Sequence, residues 1–126
     1  MGLALSATGF EKTLHFSYGG FSRFRLAVAK AYSNKHGQLY EKLVESLGYA
    51  VDDDFLKQWD TECDEGLDLL LWHSDCDGKL TPSECTKLKN SLLKLNIMDE
   101  EYKDVFEDFI KLLKHCSKRR VILYFC

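Results

Sequence analysis

Two segments of this chain read as β-strands, and they stand at opposite ends of its 126 residues. Thr13-Leu14-His15-Phe16-Ser17-Tyr18 alternates polar and apolar positions, the period of a half-buried strand with Leu14, Phe16 and Tyr18 inward. Val121-Ile122-Leu123-Tyr124-Phe125-Cys126 is an unbroken apolar run, the pattern of a strand buried on both faces. A lone strand leaves its backbone donors and acceptors unpaired. The two end segments are therefore expected to pair, which closes residues 1–126 into a single domain.

Between them the apolar spacing is helical. Phe21, Phe24, Val28 and Tyr32 fall on one face, with Arg23 and Arg25 off that stripe and read as solvated. Asn34 to Gly37 reads as a turn, and Leu39, Leu43 and Leu47 mark a second helix ending at Gly48. Asp52-Asp53-Asp54 opens a third, where exposed amides favour acids. Phe55, Trp59, Cys63, Leu67 and Leu70 carry that helix to about Trp72. Cys85, Leu88, Leu92 and Leu95 align a fourth, ended near Asn96. Tyr102, Phe106, Phe109, Leu113 and Cys116 align a fifth, from about Asp99 to Ser117. The predicted fold class is mainly α: a bundle of about five helices with a small two-stranded sheet formed by the N- and C-terminal segments.

Charge narrows the partners. With 17 basic and 20 acidic residues the net charge is −3, which gives no reason to expect nucleic acid. No apolar run is long enough to span a membrane. The opening MGLALSATGF lacks the charged start and the apolar length of a secretion signal. Five cysteines show no CxxC and no regular framework, so free thiols and a cytoplasmic location are expected. P-loop, GxSxG, HExxH and dinucleotide fingerprints are missing, which speaks against an enzyme.

One stretch carries chemistry: His73-Ser74-Asp75-Cys76-Asp77-Gly78-Lys79-Leu80-Thr81-Pro82-Ser83-Glu84. It resembles the loop of an EF-hand, within a helix–loop–helix of about residues 55–95. Gly78 falls at position 6, where the chain turns sharply, and Asp75, Asp77 and Glu84 fall at positions 3, 5 and 12. Lys79 at position 7 would offer its backbone carbonyl, and Leu80 is the apolar anchor. The departure is His73 at position 1, where the pattern has Asp; imidazole is a poor ligand for a hard cation such as calcium. No second loop of this kind is present, although EF-hands usually pair. A metal-free account stands beside this one. Thr81-Pro82-Ser83-Glu84 is a capping box, and Asp77-Gly78 an ordinary turn signal. Zinc held by His73, Cys76 and Cys85 is the outsider, because that spacing matches no common closed site.

A longer resemblance runs through the chain. Ser17-Tyr18-Gly19-Gly20-Phe21-Ser22-Arg23-Phe24-Arg25, the His73–Cys85 stretch and the closing Phe125-Cys126 are similar to an uncharacterised family of small bacterial proteins. Its pattern is "SYGGFxRFR", a central "HSDCDGxLxxxEC" and a terminal "FC". The chain departs between Asn34 and Trp59, where Ser46-Leu47-Gly48-Tyr49 stands in place of a "GFGG" stretch. The resemblance implies a bacterial or phage source and one cytoplasmic domain, with His73 as part of the family's own motif. It implies no activity.

The functional expectation is a non-enzymatic binding protein with a degenerate EF-hand-like loop that holds a divalent cation, calcium first. Its candidate ligands are Asp75, Asp77, Lys79, Glu84 and His73. The alternatives are a metal-free interaction module, whose partner is another protein or a second copy of the chain, and a Cys/His enzyme or zinc protein.

Overall fold

A computed structural model describes residues 2–46, 52–60, 64–73, 78–97 and 100–125. The chain runs β1 (Gly2–Ser6), β2 (Leu14–Ser17), α1 (Tyr18–Tyr32), α2 (Asn34–Glu45), α3 (Asp53–Asp60), α4 (Glu65–Leu71), β3 (Gly78–Leu80), α5 (Pro82–Leu92), α6 (Glu100–Arg119) and β4 (Leu123–Phe125). The class is mainly α with a small sheet, as the periodicity predicts. Among the described residues there are six helices and four strands.

The sheet corrects the expected pairing. Its order is β2-β1-β4-β3, antiparallel throughout. The two strands read from the sequence do not pair with each other, because β1 lies between them. Leu3 opposes Phe16, and Leu5 meets Leu14 on one side and Phe125 on the other. Leu3 and Leu5 are buried while Ala4 and Ser6 are only half-buried, a short period-two pattern within the opening residues. The last strand is also one-sided: Leu123 and Phe125 are buried and Tyr124 is exposed. Its second partner, β3, comes from the middle of the chain, with Gly78 opposite Phe125 and Leu80 opposite Leu123.

Two of the expected helices differ from their reading. Asn34 to Gly37 is the first turn of α2 because Ser33 caps it, its hydroxyl accepting from the His36 amide at 2.9 Å. The third expected helix is two, α3 and α4. Asp64 starts the second by accepting from the Gly66 amide and is itself anchored by the Ser91 hydroxyl. Cys63, within the expected stripe, lies outside the described residues. Arg25, read as solvated, is buried.

The core lies between the sheet and the helices. Phe21, Phe24 and Val28 of α1 meet Leu112, Leu113 and Phe109 of α6 and Leu88 and Leu92 of α5 in one continuous apolar cluster. A second aromatic group joins α2 to α3: buried His36 sits edge-on to Trp59 and hydrogen-bonds the Trp59 carbonyl at 2.8 Å. Cys85 and Cys116 are fully buried on facing helices, the core positions the spacing predicts.

Candidate functional site

The three motif segments meet at the sheet end that β3 and β4 form. α4 ends at Leu71, and two residues later the imidazole of His73 lies against Phe125 of β4, ring centroids 3.9 Å apart and 24° from parallel. Nε2 of that ring is 3.2 Å from the Lys79 carbonyl. A carbonyl only accepts, so Nε2 carries the hydrogen. Gly78, one residue earlier, has φ +119°, and a Cβ there would come within 2.9 Å of His73 Cε1. Glycine is thus required twice, by its backbone and by the ring that covers it.

Phe125 in turn meets Phe21 of α1 edge to face, centroids 6.3 Å apart. The guanidinium of Arg25, one turn further along α1, stands 4.5 Å from the Phe21 ring centre. Its Nη1 reaches the His73 carbonyl at 2.7 Å and the Leu70 carbonyl at 3.2 Å, with Leu71 at 3.4 Å. Arg25, Phe21, Phe125 and His73 therefore form a closed circuit. The charge is buried beside the last carbonyls of α4, where the helix carries partial negative charge. Tyr40 donates to the Leu71 carbonyl at 2.9 Å and completes that end. Among the described residues the buried Arg25 Nε has no hydrogen-bond partner.

On the far side of the loop the capping box is present as read. The Glu84 amide donates to Thr81 Oγ1 at 3.2 Å, and the Thr81 amide donates to Glu84 Oε1 at 3.0 Å. Beneath it, the Cys85 thiol lies 4.0 Å from the Leu80 carbonyl. Contact with the Cys116 side chain, and then burial, hold the Cys85 thiol far above its ordinary range. That suits a protonated core thiol.

Of the expected cation ligands, the His73 ring and the Lys79 carbonyl come together, while the Glu84 carboxylate is engaged in the Thr81 cap. Asp75 and Asp77 lie outside the described residues, as does Cys76 of the zinc trio. Among the described residues no three His, Cys, Asp or Glu side chains gather as a metal site would need. Sequence reasoning missed Arg25, Phe21 and Phe125 as parts of this site. Phe21 and Arg25 are four apart on one helix, a spacing that puts both on one face; the partner on the other side is not visible in sequence. Compared with family models, curated proteins and solved structures, the chain finds no match.

Proposed function

We propose that this chain is a non-enzymatic binding protein in which the 73–84 loop is a metal-free helix corner, latched by His73. The observation that carries this is the His73 Nε2–H on the Lys79 carbonyl, with the ring stacked on Phe125. In the EF-hand pattern that carbonyl faces the cation. Here that carbonyl accepts from the His73 ring, and one Glu84 carboxylate oxygen accepts from the Thr81 amide. A cation would have to displace both hydrogen bonds, each worth about 1 kcal/mol. Exposed Trp72 and Tyr124 adjoin the latch residues in sequence and supply the aromatic surface a protein partner or second copy favours. A cytoplasmic setting, favoured by the free thiols Cys85 and Cys116, belongs to the same reading.

One observation favours the second reading, a degenerate calcium loop: Gly78 at position 6 has the positive φ that such a loop requires. Calcium calorimetry with paired melting curves separates the two. The latch reading expects no saturable heat and a melting shift under about 1 °C at millimolar calcium. His73→Asp should then lower stability without metal and confer a calcium-dependent rise. Saturable heat in the unmodified chain, abolished by Asp77→Ala, would replace this reading with the calcium one. No helix among the described residues is long and apolar enough to cross a membrane.

A further inference from the structure

The side of α1 that carries Arg23 leaves a groove open. Arg23, Leu26, Ala27 and Lys30 recur at helical spacing, i, i+3, i+4 and i+7, and so share one stripe. They face Ile97, beyond α5, and Tyr102, in the first turns of α6, across a cleft of about 360 Å³. That volume lies within the range of small-molecule sites, which are mostly apolar with a few placed polar groups. Ile97 is buried and packs into the core, so the floor is fixed. Ala27 keeps the wall low where a larger side chain would fill the space.

Charge gives the occupant its sign. Arg23 and Lys30 are both exposed, and neither pairs with a carboxylate among the described residues, where the ion pair found is Lys12 with Asp108. Seven residues of helix set them about 10 Å apart, with apolar side chains between. Tyr102 packs near Phe24, ring centroids 6.5 Å apart, which anchors that wall of the groove to the core. A planar guanidinium matches a carboxylate fork to fork, which an ammonium does not.

We propose that this groove binds an amphipathic organic carboxylate, its apolar body along Leu26, Ala27 and Ile97 and its carboxylate on Arg23. The site is separate from the loop latch: Phe21 and Arg25 serve the latch, and the groove uses another stripe of the same helix. A failed calcium result therefore says nothing about the groove, and the converse.

The test is amide NMR on the full chain, titrated with octanoate and with 1-octanol. Octanoate should give saturable shifts on residues 23–31, 97 and 102, with affinity about tenfold above octanol. Arg23→Gln should bring octanoate down to the octanol level and leave octanol unchanged. Lys30→Gln should weaken octanoate less. Ala27→Leu, which fills the groove, should weaken both. Equal binding of acid and alcohol, an Arg23→Gln titration identical to the unmodified chain, or shifts centred elsewhere would each overturn the proposal. So would the same shifts produced by raising protein concentration alone, which would assign the groove to a second copy.

Discussion

His73 and Phe125 stack face to face at 3.9 Å, joining the second residue after α4 to the last residue of β4. Fifty-odd residues of sequence separate them, and the β3–β4 ladder holds them in register, Gly78 opposite Phe125. The ring that stacks on Phe125 also covers Gly78 and donates to the Lys79 carbonyl, which ties the start of β3 to the last strand. Loop and C-terminal strand are thus one unit, and loosening either should loosen both.

His73→Ala removes a ring contact and a hydrogen bond and is expected to cost about 1–2 kcal/mol. Phe125→Leu, at a fully buried position, is expected to cost about 1–3 kcal/mol. The double variant should fall short of the sum by about 0.5–1.5 kcal/mol, the coupling of two touching residues. Urea titration of the four proteins gives the cycle. Simple additivity would mean that the stack contributes nothing beyond burial.

Arg25 has the same kind of reach. Arg25→Met keeps the aliphatic bulk and leaves the Leu70 and His73 carbonyls without their cationic donor. The expected loss is about 2–4 kcal/mol, offset in part by relief of the buried charge. The readout that identifies the role is hydrogen exchange. Protection should fall first in α4, and α6 should keep its own until global unfolding.

These long-range pairs mark where the sequence stopped being legible. The Thr81–Glu84 cap could be read directly because all its partners lie within three residues. The buried stripe of α1 was legible for the same reason: helical period is local. Arg25 was not, since its acceptors lie 45 and 48 residues away and an arginine off the apolar stripe ordinarily faces water. The break between α3 and α4 was hidden because Phe55, Trp59, Leu67 and Leu70 keep nearly the same helical phase across it. The Asp64 cap that makes the break depends on Ser91 of another helix. Strand β1 carried its alternation in Leu3 and Leu5, but five residues of it are a weak signal until two partners flank them.

Gly78→Ala combines two penalties that can be separated. The backbone at φ +119° disfavours any side chain, and the new Cβ would press on His73 Cε1. The variant is expected to lose about 2–4 kcal/mol. In a His73→Ala background the ring is gone and only the backbone strain remains, so the cost should fall by about 1 kcal/mol or more. Equal costs in both backgrounds would show that the ring yields freely and is not a fixed cover.

Asp68 supplies the pH dependence. Its carboxylate accepts from Trp59 Nε1 at 2.9 Å in a half-buried setting. Burial raises its pKa above the ordinary 3.8, the Trp59 hydrogen bond opposes that, and the Asp60 and Asp64 charges add to the rise. The folded chain therefore holds this proton more tightly than the unfolded chain. Between the two pKa values the folded state binds more protons, so the Asp68 contribution is fully present below the unfolded value. It declines as pH rises through the folded one. Asp68→Asn keeps an oxygen for Trp59 and removes the titration. Stability of the unmodified chain minus that of Asp68→Asn should fall as pH goes from about 3.5 to about 7 and then level off. Denaturant midpoints with Trp fluorescence measure it. A difference that rises with pH would mean that the Trp59 hydrogen bond outweighs burial, and that the carboxylate is held in its charged form.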